Sequence, residues 1–368
     1  MTTIVPNTDV RTPEASPTTA PPDGRPGPTG APQGTTAPPS TAPGPAATGA
    51  NRLEALDRFR GVALVAMLLH HLCEWLAGDA RQVLPGWPDF TLTDVAAPAF
   101  FVAAGASCSL LVTGRRRRAA SALRIAGVVL RRYGVLVPVG TALAWFLWRE
   151  PFAFGVLEAL GTTVCVAAVL GALLPGGLVS VAATTALIAG VMVERDVTGQ
   201  TDWLAVEFWA GNFPAITYLG FVLVGMAAMR SGRFVDRRWV AGAALLGIVG
   251  FTAMLADGII PARYPGDVGL VVPGLAGTAV AYLLCQLDWP AWLGRFDRML
   301  RAAAVHTFGL FLAHYGIYWL LDLTGLLREV PDVLAVPVAA SVAALLCVVA
   351  PHLPQLPWSV RTGWRRPR

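Results

Sequence analysis

The sequence predicts an all-α, polytopic transmembrane helical bundle of about ten spans behind a disordered N-terminal tail. Three observations carry this. Apolar residues make up 55% of the 368 and charged residues only 14%, the composition of a chain solvated by lipid. Apolar residues also gather in windows of about 20, the number a helix needs to cross a hydrocarbon core of roughly 30 Å. Residues 1–50, finally, are mostly Pro, Thr, Ala and Gly, too poor in apolar surface to fold and without the apolar core of a signal peptide.

The windows lie near 60–77, 95–113, 133–149, 155–174, 178–194, 214–230, 239–256, 268–287, 302–322 and 332–350. Pro98, Gly105, Pro138, Gly161, Pro273 and Gly277 fall inside them, which a membrane helix tolerates because its neighbours re-satisfy the backbone. The expected organisation is a tail over 1–50, a membrane domain over 51–352 and a short basic tail over 353–368.

All 28 basic residues are arginine. Past residue 50, alternate connections and the two ends hold 21 of them, against five in the other connections. The positive-inside rule then places both termini in the cytoplasm of a cell (plasma) membrane protein. Trp75, Trp87, Trp145, Trp148, Trp203, Trp209, Trp239, Trp289 and Trp292 fall at or just beyond span ends, where an amphipathic ring suits the headgroup layer. The connection holding Arg115, Arg116, Arg117, Arg118, Arg124, Arg131 and Arg132 reads as a short amphipathic helix on the membrane surface. It would touch anionic lipid or attract a polyanionic cosubstrate.

No basic stripe alternates with aromatics, so nucleic acid is not an expected partner. Cys73, Cys108, Cys165, Cys285 and Cys347 lie in apolar runs without CxxC or metal-ligand spacing. His306 and His314 are eight residues apart, about 80° from sharing a helix face, so no metal site is expected.

The first span holds the chemistry. From Arg60 to His71 is eleven steps, within about 20° of three whole turns, so Asp57, Arg60, Met67, His71 and Glu74 share a face. His71 then lies about 16 Å deeper than Arg60. Histidine accepts and returns a proton near neutral pH, which makes His71 a candidate general base toward an amine or hydroxyl; the plainer role is a hydrogen bond between helices. His70 points about 100° away and reads as structural. Asp57 and Arg60 are expected to pair. Asp94 either orients His71 or an incoming acceptor, or caps the second span. An ionisable group within a span is a functional candidate, which adds Glu158 and His314.

The run Leu53–Gly61, Met67, His71, then Trp87 through Asp94, Pro98, Phe100, Phe101 and Gly105, resembles the heparan-α-glucosaminide N-acetyltransferase catalytic-domain family. Phe154–Gly161 and Phe213–Met226 are similar to later segments of that family, and the Arg60 to His71 spacing resembles the related acyltransferase-3 family. The resemblance implies an enzyme that takes an acyl group, usually acetyl, from coenzyme A on the cytoplasmic side and delivers it to a sugar or glycan on the other. It implies His71, Asp94 and Glu74 as catalytic residues, and Arg60, Arg115, Arg116 and Arg117 toward acyl-CoA. Trp87, Glu158 and His314 would lie toward the acceptor. The family has an active-site histidine in the loop after its first span, whereas residues 72–93 contain none, so His71 would take its place. Glu158 stands where the family commonly has glutamine.

A transporter or flippase of a sugar or lipid-linked substrate would use the same polar face. It would be expected to show an internal repeat, and 52–200 and 210–350 do not repeat one another. A silent scaffold would have no use for ionisable groups in a span.

Overall fold

The computed structural model describes residues 45–77, 83–87, 89–149, 154–197, 213–262, 267–325 and 330–352. The expected tails, through residue 44 and from 353, lie outside the described residues. Among the described residues there are twelve α-helices: α1 (Pro45–Ala77), α2 (Ala96–Arg116), α3 (Ala122–Tyr133), α4 (Leu136–Trp148), α5 (Val156–Leu173), α6 (Gly176–Val197), α7 (Ala215–Arg230), α8 (Arg237–Ala256), α9 (Val268–Cys285), α10 (Gly294–Val305), α11 (Thr307–Thr324) and α12 (Asp332–Val349). Helix α1 begins at Pro45, inside the segment assigned to the tail.

Seven helical segments have the length and composition of a membrane span, or eight if α10 and α11 form one broken span. Among the described residues the multi-pass bundle thus shows seven or eight of the ten windows at full span length. Helix α4 has 13 residues, about 20 Å, and α7 has 16, about 24 Å, both short of the hydrocarbon core. Helix α7 is apolar because it is interior: Phe221, Val222 and Met226 are fully buried. The window at 302–322 is interrupted at His306, where α10 and α11 meet at 89°. His306 has φ −101° and ψ 16°, and the Thr307 hydroxyl donates to the Ala304 carbonyl at 2.8 Å, a local bond that competes with helix continuation.

Helix α1 is the central element, packed against α2, α9, α10, α11 and α12. Its buried Phe59, Leu64, Leu68 and Leu72 repeat at helical spacing on the inner face. Small residues set the closest crossings. A Cβ on Gly105 would overlap the Val222 carbonyl, and one on Gly225 would overlap that of Val102, so α2 and α7 cross backbone to backbone. Membrane interfaces gain van der Waals contact this way. Helix α3 is amphipathic, with Ile125 and Val129 buried and Leu123, Arg124, Leu130 and Arg131 exposed. The basic connection thus forms a helix over 122–133, opened by the Ser121 hydroxyl, which accepts from the Arg124 N–H at 3.3 Å.

Between α1 and α2 the chain forms a two-stranded antiparallel hairpin, β1 (Gly86–Trp87) with β2 (Phe90–Thr91), then a 3-10 turn over Leu92–Val95. This folds the connection back over the His71 end of α1.

Candidate functional site

The turn before α2 is built by a capping box. Thr91 donates its backbone N–H (2.7 Å) and its hydroxyl (2.8 Å) to Asp94 Oδ2. The Thr91 hydroxyl oxygen lies 2.8 Å from Thr93 Oγ1, which lies 2.9 Å from His70 Nδ1. A hydroxyl has one proton. The bonds therefore run in one direction, from His70 Nδ1–H through Thr93 and Thr91 to Asp94. The other ring nitrogen, His70 Nε2, faces Asp94 Oδ1 at 3.7 Å and Glu74 Oε2 at 3.5 Å. Asp94 and Glu74 are thus set against His70, although the helical wheel places Glu74 on the His71 face. An i, i+4 neighbour is as near as an i, i+3 one, and the fold selects it by placing the turn over His70.

His71 turns the other way. Its Nδ1 lies 3.1 Å from Nε2 of His314, which is fully buried on α11. Trp75 stacks on the His314 ring at 5.2 Å between centroids and 14° between planes. Tyr315 lies 4.2 Å from the same ring, and Phe311 meets it edge-on at 5.0 Å. Eight-residue spacing hid this role of His314, because its partner is 243 positions away.

A pocket opens where these two arrangements adjoin. Met67, His70 and His71 line it from α1, Asp94 from the turn, Phe100 from α2 and Tyr218 from α7. Its wall is largely apolar, and its volume of about 30 Å³ has room for about two waters. Both histidines border it, so the reading of His70 as structural is incomplete: it is a strut that also lines the pocket.

At the other end of α1, Arg60 Nη1 lies 3.6 Å from Asp57 Oδ1. Arg58, which the sequence reading passed over, is the more deeply held cation. Its Nε donates to Asp297 Oδ1 at 2.6 Å and its Nη1 to the Leu287 carbonyl at 3.2 Å, while the guanidinium lies 4.7 Å from the Trp289 ring centroid. Arg301 adds bonds to Asp297 (2.7 Å) and Glu54 (3.2 Å), tying α1 to α10. The only sequence signal was a second arginine beside Arg60.

The remaining candidates are dispersed. Arg116 donates to the Ala172 carbonyl, and Arg230 to the Gly171 and Leu174 carbonyls, so both arginines cap the C-terminal end of α5. Arg115 is half-buried and Arg117 exposed. Trp87 packs edge-on against Phe251 at 5.1 Å. Glu158 is buried and turned toward α4, where a Cβ on Gly140 would overlap its carboxyl group. Its neighbour Val156 lines the pocket, and Glu158 does not. Among the described residues no three His, Cys, Asp or Glu side chains are grouped to hold a metal ion.

Residues 52–254 match the family model described as heparan-alpha-glucosaminide N-acetyltransferase, catalytic. The mouse (Mus musculus) protein named heparan-alpha-glucosaminide N-acetyltransferase is 32% identical over 136 residues, covering 33% of this chain and 20% of the relative. The human (Homo sapiens) protein of the same name is 28% identical over 182 residues, covering 46% of this chain and 26% of the relative. The chain therefore spans a fifth to about a quarter of the length of these relatives. The matched residues include His70, His71 and Asp94 and end before His314.

Proposed function

The chain belongs to the heparan-alpha-glucosaminide N-acetyltransferase catalytic family, and from that membership we propose that it is a membrane acyltransferase carrying acetyl, or another acyl group, from coenzyme A to a sugar or glycan. The observation that supports this most is the position of His71. It borders an apolar pocket at one end of α1, about 16 Å along the helix axis from Arg60. A donor entering at the arginine-rich end and an acceptor entering beside the hairpin would meet at one imidazole.

In this reading the acceptor amine or hydroxyl lies in the pocket with its proton toward His71. As the acceptor attacks the thioester carbon, its proton passes to His71 and the carbon–sulfur bond breaks. The departing thiolate then takes the proton back. General base catalysis of this kind contributes about 10²- to 10⁴-fold, and holding both reactants in place contributes more. Asp94 and Glu74 act through His70, fixing the pocket wall. Arg60, Arg115 and Arg117 are the guanidinium groups proposed to meet the phosphates and pantetheine entrance of acyl-CoA. Arg116 has its own task at the end of α5. Trp87 forms the acceptor-side rim. We place the arginine-rich end in the cytoplasm of a plasma-membrane protein, on the distribution of arginine.

The test is acetyl transfer by purified protein in liposomes, with labelled acetyl-CoA and a panel of amino sugars and hydroxyl sugars. Label on a sugar with the wild type, lost in His71→Ala of equal yield and fold, is the expected result. No consumption of acetyl-CoA by the wild type on any acceptor overturns the proposal and favours transport.

A further inference from the structure

We propose that the outward face of α3 is a binding site for an anionic phospholipid, its phosphate held by Arg124 and Arg131 and an acyl chain lying along the strip of Leu123, Gly127 and Leu130.

Helix α3 carries two apolar stripes. Ile125 and Val129, about 40° apart on the helix, are buried where α3 packs on α5. Leu123, Gly127 and Leu130 fall within about 60° of one another, roughly 150° round from that buried pair. On this second stripe Leu123 is 87% and Leu130 61% exposed. A Cβ on Gly127 would meet nothing within 4 Å, so an open notch lies between the two leucines. Arg124 and Arg131, both exposed, stand beside the stripe within about 20° of each other. An exposed apolar strip rimmed by charge marks a surface that meets a membrane or a partner.

Charge selects the occupant. No Asp or Glu stands between Asp94 and Glu150, while residues 115–132 hold seven arginines. Glu158, the one acid of α5, is turned toward α4. Arg116 is spent on the Ala172 carbonyl, and Arg132 lies 5.5 Å from the Tyr133 ring centroid. Arg124 and Arg131 lie on the outward side. A guanidinium binds a phosphate through paired N–H groups, and its apolar stem lies along hydrocarbon while the head reaches the phosphate layer. A free nucleotide would satisfy the arginines and leave the leucines in water. A lipid without net charge would cover the leucines and leave the excess positive charge unbalanced. An anionic phospholipid meets both demands with one molecule.

The test places the full chain in phosphatidylcholine vesicles containing a small fraction of phosphatidylglycerol, with a bimane fluorophore on Gly127→Cys. Four of the native cysteines are buried and Cys165 is half-buried, and the wild type taken through the same labelling supplies the background. A doxyl quencher is carried either by the phosphatidylglycerol or by an equal mole fraction of phosphatidylcholine. Quenching should be stronger from phosphatidylglycerol, reflecting a local enrichment of roughly fivefold per arginine at low salt. The preference should fade at high salt and in the Arg124→Gln/Arg131→Gln double variant. Equal quenching by the two lipids, or a preference that survives the double variant, overturns the proposal. Quenching by neither also overturns it, and shielding of the label from aqueous iodide by acetyl-CoA would then give the face to a nucleotide. A second readout needs no introduced cysteine: phosphatidylglycerol retained per chain after purification from one lipid mixture should be lower in the double variant than in the wild type. Equal retention overturns the proposal.

Discussion

Replacing Arg58 by alanine tests how the arginine end of α1 is held. The side chains of Arg58 and Asp297 are 12% and 13% exposed, and Nε lies 2.6 Å from Oδ1. Removing one partner of a buried ion pair costs about 3–5 kcal/mol, chiefly because the other charge is stranded. Here Arg301 keeps one bond to Asp297 Oδ2 at 2.7 Å, which offsets part of that. The Leu287 carbonyl and the Trp289 face lose their cation as well. Balancing these terms gives about 3 kcal/mol, or roughly a hundredfold in the folded-to-unfolded ratio. The assay is reversible unfolding in mixed detergent followed by tryptophan fluorescence, on Arg58→Ala, Asp297→Asn and the double variant. The double variant should lose at least 1 kcal/mol less than the sum of the singles, since neutralising Asp297 removes the stranded charge. A loss under about 0.5 kcal/mol in Arg58→Ala, or strictly additive losses, would refute the reasoning.

Gly225→Ala should cost about 1–3 kcal/mol in the same assay, because the added methyl overlaps the Val102 carbonyl and must part α2 from α7. Gly127→Ala on exposed α3 meets nothing within 4 Å and should gain up to about 1 kcal/mol. Arg116→Gln should lower the thermal midpoint by uncapping α5. Arg117→Gln should leave it unchanged and raise KM for acetyl-CoA by up to about fivefold at low salt, the range for an exposed charge. Thr93→Val removes the bond to His70 and should lower kcat with little effect on yield, as measured by transfer on matched samples.

The all-α membrane class was legible because lipid imposes it: long apolar windows have almost no other use. Helix lengths were less so: the windows at 133–149 and 214–230 hold helices of 13 and 16 residues, and hydropathy alone does not set where a helix ends. Helix α7 packs its apolar surface on α2, α5 and α6. The break at His306 was equally hidden, since it lies in a pair of backbone angles and a threonine hydroxyl. Within the site, the spacing from Arg60 to His71 was readable on a helical wheel because both residues are on α1. The partners were not. His71 meets His314 across 243 positions, and Arg58 meets Asp297 across 239. Glu74 shares the wheel face of His71, and the fold also brings its carboxylate to 3.5 Å and that of Asp94 to 3.7 Å from His70 Nε2, which the wheel does not show.

The most direct test of the central claim separates the two substrates by a membrane. Oriented proteoliposomes would be given labelled acetyl-CoA on the arginine-rich face, with the sugar acceptor enclosed on the other. The account predicts labelled acetyl-sugar inside wild-type vesicles and none in His71→Gln vesicles of equal protein content. Equal product from both proteins, or labelled sugar formed only when both substrates share one compartment, would contradict it.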